Sequence, residues 1–284
     1  MEVFQSPADV RAWVKARRAQ GDRLGFVPTM GALHEGHLTL VDHARRHSDA
    51  VVASIFVNPL QFAPHEDLAR YPRDFDRDRV LASDRGVDAL FFPDVETMYP
   101  AGGEIRVIPG ETGSRWEGKM RPGHFTGVLT VVAKLFHIIE PDVAVFGQKD
   151  IQQAVLIRQM VRDLNWPLDL IIVPTVREAD GLALSSRNMY LDAQSRLTAL
   201  ALSQSLQRAH ELFQAGERQA SVLERAMQEI LTLHPGLVVE YIAIADPDHL
   251  RPVEQVDGTT VVALAARVGT TRLIDNIALG QGIR

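Results

Sequence analysis

The chain has 284 residues, of which 46% are hydrophobic and 23% are charged, a balance typical of globular proteins. Its net charge of -6 argues against broad contact with a nucleic acid backbone, which requires an excess of basic side chains. The absence of cysteine excludes disulfides, thiolate nucleophiles and cysteine-based metal sites. The longest apolar runs fall short of the roughly 20 residues that cross a membrane, and the first residues lack a signal-peptide pattern. We therefore expect a cytoplasmic protein that binds neither membranes nor nucleic acids.

The first two thirds of the chain alternate short apolar runs with stretches of helical periodicity, which is typical of βαβ units around a parallel sheet. Several predicted strands are apolar at consecutive positions, as expected where helices cover both faces of the sheet. The pattern predicts a doubly wound α/β domain. Its predicted strands span residues 24–27, 51–57, 89–92, 143–146 and 168–173, and its predicted helices span residues 8–19, 38–46, 75–84, 127–139 and 151–164.

The character of the sequence changes after residue 188. Two long stretches rich in helix-forming residues, 192–214 and 219–233, are followed by three β-rich segments with short turns between them. Those segments cover residues 238–245, 259–266 and 271–277. The sequence therefore predicts a first domain at residues 1–187 and a smaller C-terminal α+β domain at residues 188–284.

The turn after the first predicted strand carries the strongest chemical signal, in the sequence Pro-Thr-Met-Gly-Ala-Leu-His-Glu-Gly-His at residues 28–37. Ligands of open α/β sheets bind at the carboxyl ends of the strands, where the next helix offers free N–H groups to an anion. Gly31 and Gly36 allow close backbone approach. His34 and His37 are three residues apart and are expected to point the same way.

Three interpretations of this histidine pair are open. A zinc site is disfavoured, because such helical sites use four-residue spacing and a third ligand. In a purely structural interpretation, one imidazole caps the helix and the other is exposed. In the third, the imidazole N–H groups and the helix N-terminus hold the α- and β-phosphates of a nucleotide and stabilise developing charge.

Two further polar clusters follow later strands of the same predicted sheet. The first, Gly-Gln-Lys-Asp at residues 147–150, enters a helix, although its Lys-Asp pair would also suit an exposed loop. The second, at residues 174–188, ends in two serines, an arginine and an asparagine, and two hydroxyls beside a guanidinium can bind polyphosphate.

Residues 113–119 have P-loop spacing but lack the hydroxyl residue and a preceding strand, so we reject a P-loop there.

Taken together, residues 28–37, 146–150 with Gln153, and 175–188 closely resemble the pantothenate synthetase (pantoate–β-alanine ligase) family of the His-x-Gly-His nucleotidyltransferase superfamily. Residues 56–62 and 121–128 are also similar to that family. Leu184 departs from it, since methionine is expected there in much of the family.

The resemblance implies an ATP-dependent ligation in two steps. The carboxylate of (R)-pantoate attacks the α-phosphorus of ATP to give pantoyl adenylate and pyrophosphate, and the amine of β-alanine then displaces AMP to give pantothenate. Both nucleophiles belong to substrates, which suits a chain without cysteine. The resemblance also implies a cytoplasmic homodimer, Mg²⁺ accompanying ATP, a Rossmann-like, doubly wound ATP-binding domain, and a C-terminal domain that acts as a lid.

The same resemblance implies roles for individual residues. His37, His34 and Lys149 would be catalytic, with His37 donating a proton or hydrogen bond as pyrophosphate leaves. Gln61 would bind pantoate and β-alanine, and Gln153 would bind pantoate. Asn58, Tyr71, Glu117, Arg121 and His124 belong to stretches that the family uses near the site. The implied ATP site comprises Met30, Gly31, Ala32, Leu33, His34, Glu35, Gly36, His37, Gly147, Gln148, Lys149, Asp150, Val176, Leu184, Ser185, Ser186 and Arg187.

Within that ATP site, Lys149 would pair with the phosphates and Asp150 would bind the ribose. Val176 would contact adenine through its backbone, and residues 185–187 would close over the β- and γ-phosphates. Two other functions remain open: another His-x-Gly-His nucleotidyltransferase, or a nucleotide-binding module without turnover. Pantoate-dependent exchange of pyrophosphate into ATP distinguishes the ligase from the first of these. Absence of AMP formation with pantoate, β-alanine and MgATP, despite ATP binding, would favour the second.

Overall fold

The computed structural model of the chain describes residues 1–64 and 66–283. These residues form two compact units. The first unit contains residues 1–147 and 156–173, and the second contains residues 148–155 and 174–284. The division of the chain into domains at residues 187 and 188 stays a prediction.

A parallel sheet of six strands forms the centre of the first unit, in the order β1-β4-β3-β2-β5-β6. Chain order therefore reverses beside β2, which lies between β3 and β5. The strands are β1 (Glu2–Phe4), β2 (Leu24–Thr29), β3 (Ala50–Ile55), β4 (Ala89–Phe91), β5 (Val143–Gly147) and β6 (Asp169–Val173).

Helices connect these strands, and several of them begin at side-chain caps. Ser6 caps the first helix by accepting a hydrogen bond from the N–H of Asp9, and Asp74 caps the third through the N–H of Arg77. The helices are α1 (Pro7–Ala19), α2 (Glu35–His47), α3 (Phe75–Asp84), α4 (Val95–Met98), α5 (Trp116–Met120), α6 (His124–Ile139) and α7 (Ile151–Asp163).

Both faces of the sheet are covered by apolar side chains. Successive strand residues point to opposite faces, so Phe26 packs in a cluster with residues of α1 and α6, while Val27 packs in another with residues of α2. On the neighbouring strand, Val52 packs in the first of these clusters and Val51 packs in the second. The predicted doubly wound, Rossmann-like fold is therefore confirmed.

The second unit has a three-stranded antiparallel sheet against two long helices. The sheet has the order β7-β8-β9, and residues of both helices share one apolar cluster with it. The elements are α8 (Ala193–Gln214), α9 (Ala220–Thr232), β7 (Leu237–Ala245), β8 (Val261–Val268) and β9 (Thr271–Ala278). The predicted α+β character of the C-terminal region is confirmed.

The sequence pattern missed the first strand and the short helices. β1 has three residues, two of them exposed, so it lacks the buried apolar run that marks β4, which is equally short. Residues 113–119, which we rejected as a P-loop, lie across a 3-10 turn and α5, and no strand occurs in residues 101–110. Among the described residues, no helix is long and apolar enough to cross a membrane.

Candidate active site

The turn between β2 and α2 lies where the order of the sheet reverses. β2 pairs with β3 on one side and with β5 on the other, and such a switch point is where open α/β sheets bind ligands. α2 begins at Glu35, three residues earlier than the sequence pattern indicated, and His34 occupies its N-cap position. The N-terminus of α2 therefore faces the carboxyl edge of the sheet.

The backbone of this turn is left-handed at two consecutive residues, Gly31 (φ 84°) and Ala32 (φ 51°). Only glycine adopts that region without steric cost. Thr29 Oγ1 accepts a hydrogen bond from the Gly31 N–H at 3.1 Å, and the Asp78 carboxylate accepts from Ala32 at 2.7 Å and Leu33 at 2.8 Å. Three of the predicted phosphate-binding N–H groups are thus used within the protein, which leaves the first turn of α2 as the backbone donor to an anion.

Asp78, on α3, is the residue that sequence reasoning missed in this turn. It is 1% exposed, and burial raises the pKa of its carboxyl group, against the opposing effects of the Leu33 and Ala32 N–H groups and the Arg77 charge. Each carboxylate oxygen accepts one backbone N–H, a pattern that holds a turn in a single conformation.

The two histidines of the turn lie side by side, with ring centroids 4.1 Å apart and planes inclined by 32°. The backbone N–H of His34 donates a hydrogen bond to Nδ1 of His37 at 3.4 Å. Because Nδ1 is the acceptor, the neutral ring of His37 carries its proton on Nε2. The described residues include no group of three or more His, Asp or Glu side chains that could hold a metal ion.

The side-chain amide of Gln61 contacts this turn, and both belong to the first unit. Its Nε2 lies 3.0 Å from Sδ of Met30, and its Oε1 accepts a hydrogen bond from Nδ2 of Asn58 at 3.0 Å. Asn58, which is 1% exposed, is fixed in turn because its Oδ1 accepts from the Tyr99 hydroxyl at 2.8 Å and its Nδ2 donates to the Gly127 carbonyl at 3.1 Å. The amide of Gln61 therefore presents its NH₂ group rather than its oxygen.

The backbone of Gln61 is held by a cluster of charged and aromatic side chains. Its carbonyl accepts hydrogen bonds from His124 Nδ1 at 2.8 Å and Arg121 Nη2 at 3.3 Å. Arg121 also forms a two-bonded ion pair with Glu66, at 2.6 and 2.9 Å. Burial opposes ionisation of Glu66, but the hydrogen bonds and charge of Arg121 outweigh it and lower the pKa of Glu66. Sequence reasoning had placed His124 and Arg121 near the site and had missed Glu66.

His124 is uncharged at neutral pH in this arrangement. Burial, and then the neighbouring Arg121 charge, lower the pKa of His124 to about 4. The neutral ring donates from Nδ1 to Gln61, and its Nε2 lies 3.1 Å from Nη1 of Arg121. Two other residues named with this region, Tyr71 and Glu117, are both buried.

Helix α6 approaches the Gln61 segment closely because it carries a glycine there. A Cβ atom at Gly127 would lie 2.2 Å from the Leu60 carbonyl oxygen and 2.7 Å from the Gln61 nitrogen. Residues 59–61 form a short 3-10 turn that packs directly on this position. The absence of a side chain at Gly127 therefore sets the position of Gln61.

The remaining predicted site residues lie mainly in the second unit. Residues 148–150 form a 3-10 turn after β5, where Lys149 Nζ is 3.8 Å from Asp150 Oδ2 and the side chains are 22% and 51% exposed. Gln153 follows in the first turns of α7 and is half-buried. Gly147 itself ends β5 in the first unit.

Residues 174–190 of the second unit form a short hairpin followed by a 3-10 turn. The carbonyl of Val176 accepts a hydrogen bond from the Leu184 N–H at 2.9 Å, and Arg177 pairs with Ala183. Ser185 caps the 3-10 turn at Ser186–Tyr190 by accepting from the N–H of Arg187. The predicted adenine- and phosphate-binding residues therefore share one compact segment.

Comparisons with known proteins match almost the whole chain. A family model described as pantoate-beta-alanine ligase matches residues 2–278. Pantothenate synthetase from Moorella thermoacetica is 55% identical, over 98% of this chain and 99% of that protein. The enzyme of the same name from Pelotomaculum thermopropionicum is 52% identical, over 99% of this chain and 100% of that protein.

Solved structures agree with these matches. A crystal structure of pantothenate synthetase from Thermus thermophilus has a TM-score of 0.93 and 47% identity, over 98% of this chain and 99% of that one. Pantoate-beta-alanine ligase from Francisella tularensis, solved in complex with beta-gamma ATP and beta-alanine, has a TM-score of 0.79 and 33% identity, over the whole of both chains.

Replacing Asp78 by asparagine tests how the turn is held. An amide has one acceptor oxygen where the carboxylate has two, so the N–H of either Ala32 or Leu33 loses its partner. An unpaired buried donor costs about 1–3 kcal/mol. We therefore expect hydrogen exchange at the amide that loses its partner to accelerate roughly 5- to 150-fold in the Asp78→Asn protein, measured by NMR. The exposed Asp76→Asn is the matched control, and unchanged exchange in Asp78→Asn would contradict the assignment.

The pKa of His124 predicts a pH dependence of stability. The unfolded chain binds a proton at this residue below about pH 6.5, whereas the folded protein resists protonation until about pH 4. Lowering the pH from 7.5 to 5 should therefore cost the unaltered protein about 2 kcal/mol of unfolding free energy that the His124→Gln variant does not lose. Urea titrations at the two pH values measure the difference. Equal losses in both proteins would show that His124 titrates as freely when folded as when unfolded.

Proposed function

The chain belongs to the pantoate-beta-alanine ligase family, and we propose that the residues described above carry out that family's reaction, the ATP-dependent condensation of pantoate with β-alanine. The observation that carries the proposal is the His-x-Gly-His turn, held at the carboxyl end of β2 in a chain matched by the family over residues 2–278. The two other functions left open by the sequence have no comparable support.

The reaction requires positioning and charge stabilisation rather than a protein nucleophile. In the first step a pantoate carboxylate oxygen bonds to the α-phosphorus of ATP, and the bond to the bridging oxygen breaks to release pyrophosphate. In the second step the β-alanine nitrogen bonds to the acyl carbon, and AMP leaves with the electron pair of the broken carbon–oxygen bond. Holding the reactants together and stabilising negative charge supply the acceleration.

His37 is the donor that we assign to the departing pyrophosphate. Its Nδ1 accepts the His34 N–H, so its Nε2 carries the proton that we assign to an oxygen on which charge develops. The N-terminus of α2, where both histidines lie, adds a favourable dipole and N–H donors. His34 and the turn backbone are assigned to the same phosphates.

The resemblance carries the other groups that we assign to ATP. Lys149 and Arg187 provide positive charge for the phosphates, with the hydroxyls of Ser185 and Ser186 as additional donors. Asp150 is assigned to the ribose. Gly147, Gln148 and Leu184 complete the proposed nucleotide contacts by resemblance.

The adenine contact that we propose uses the backbone of Val176. Its carbonyl already accepts the Leu184 N–H within the hairpin. Its N–H is therefore the group assigned to an acceptor nitrogen of the adenine ring, an interaction that any residue except proline would permit at this position.

Two glutamines are assigned to the acid substrate. Because Asn58 occupies the side-chain oxygen of Gln61, Gln61 presents N–H donors, which suit a carboxylate or hydroxyl oxygen of pantoate. The same group is assigned to β-alanine, whose carboxylate also requires donors. Gln153 is assigned to pantoate on the strength of the resemblance alone.

Mg²⁺ accompanies ATP in the proposed reaction, because the ion binds mainly through polyphosphate oxygens and water. The described residues offer no cluster of three His, Asp or Glu side chains as a protein-made site. No residue of this chain is therefore assigned to the ion, and no step is derived through it.

We also propose that the enzyme is a cytoplasmic homodimer. Ile105 and Ile108 are 87% and 76% exposed on an extended segment without regular structure. Large apolar side chains exposed close together are typical of a surface that contacts another protein, and a second copy of the chain is the partner proposed. The cytoplasm is the compartment that holds its co-substrate ATP.

Exchange of labelled pyrophosphate into ATP tests the proposal. We expect exchange that requires pantoate, and we expect His37→Ala and Lys149→Ala each to slow it by about 100-fold, the typical loss of one charge-stabilising donor. The exposed His47→Ala and Lys15→Ala serve as matched controls and should exchange at the unaltered rate.

Two results would count against the proposal. Exchange without pantoate would indicate a different nucleotidyltransferase. Unaltered exchange in His37→Ala or Lys149→Ala, with the variant shown to be folded by circular dichroism, would refute the role assigned to that residue.

A further inference from the structure

An asparagine near the end of the chain holds the turn that carries Lys149. Asn276 lies in β9 and is 2% exposed. Its Nδ2 donates hydrogen bonds to the carbonyl oxygens of Gln148 at 3.0 Å and Lys149 at 2.9 Å, and its Oδ1 accepts one from Nε2 of Gln148 at 3.2 Å. All three residues belong to the second unit.

These contacts use the full donor capacity of the amide. The two N–H bonds of Nδ2 point to successive backbone carbonyls, so they fix two neighbouring peptide planes rather than one atom. A buried amide whose groups are all paired keeps one orientation, because rotation would leave polar atoms unsatisfied. The backbone of Lys149, and hence the origin of its side chain, is set by Asn276.

The strand that carries Asn276 is itself held firmly. The neighbouring Asp275 forms a two-bonded ion pair with Arg177 at 2.7 and 2.9 Å, and both side chains are nearly buried. Arg177 also donates to the Gly181 carbonyl at 3.1 Å. Successive strand residues leave opposite faces, so Asp275 and Asn276 hold two different segments: the hairpin with Val176 and the turn with Lys149.

We propose that Asn276 is a positioning residue for Lys149, which it keeps aimed at the phosphates of ATP. The inference rests on the proposed role of Lys149. Asparagine suits the task because aspartate has no N–H to donate to two carbonyls, and serine or threonine has only one donor. Asn276 touches neither substrate nor the reacting atoms in this account and acts only through the lysine.

The test is a double-mutant cycle on pantoate-dependent pyrophosphate exchange. Misplacing a reacting group by about 1 Å can cost up to 10²-fold in rate, so we expect Asn276→Ala to slow exchange by roughly 10- to 100-fold. Since Asn276 acts through Lys149, the Asn276→Ala/Lys149→Ala protein should be no slower than Lys149→Ala alone. Ile277→Val, which trims the core at the next residue of β9, is the control and should exchange at the unaltered rate.

The outcomes separate the inference from the function on which it rests. If the fold-loss in exchange rate of the double variant equals the product of the fold-losses of the two single variants, Asn276 acts independently of Lys149 and the inference is overturned. If Lys149→Ala slows exchange but folded Asn276→Ala does not, the inference alone fails. If Lys149→Ala exchanges at the unaltered rate, the proposed role of Lys149 fails and the inference fails with it.

A second variant covers the case in which Asn276→Ala does not fold. Asn276→Asp keeps the volume of the side chain but places a carboxylate oxygen against two carbonyl oxygens. We expect it to slow exchange as much as the alanine variant, and unaltered exchange in folded Asn276→Asp would overturn the inference. Circular dichroism at the assay temperature establishes folding for each protein.

Discussion

The site residues of the first unit depend on one interaction. The N–H groups of Ala32 and Leu33 each donate a hydrogen bond to the carboxylate of Asp78. They hold a turn with two consecutive left-handed residues, one of which is not glycine. That turn sets where α2 begins, and therefore where His34 and His37 lie. It also places Met30 against Gln61, so one buried carboxylate connects the proposed phosphate and pantoate groups.

Buried side chains orient the polar groups of the site. Burial disfavours the charged forms of those side chains in the folded protein. Burial raises the pKa of Asp78 and lowers the pKa of His124 to about 4, so each charged form is less favourable in the folded protein than in the unfolded chain. Neither residue improves the apolar core. Their contribution is geometric: Asp78 fixes the turn, and His124 fixes the Gln61 carbonyl.

Sequence patterns predicted the parallel sheet and the polar residues that follow its strands, because both have local signals, whereas the roles of those residues stay predictions. Apolar runs mark the central strands, and polar residues after those strands mark the carboxyl edge of the sheet. The residues that hold the site had no such signal: Asp78 lies 45 residues from Leu33, and Glu66 lies 55 from Arg121. Asn276, 128 residues from Gln148, had one hint, since asparagine is depleted inside strands.

Asp78 is the residue that we expect to hold the turn in its reactive conformation. The most direct test is the rate of pantoate-dependent pyrophosphate exchange by Asp78→Asn, at a temperature where circular dichroism shows the protein folded. We expect a fall of about tenfold or more, as is typical when a reacting group is displaced, while the exposed Asp76→Asn exchanges at the unaltered rate. An unaltered rate in Asp78→Asn would show that the chemistry does not depend on this carboxylate.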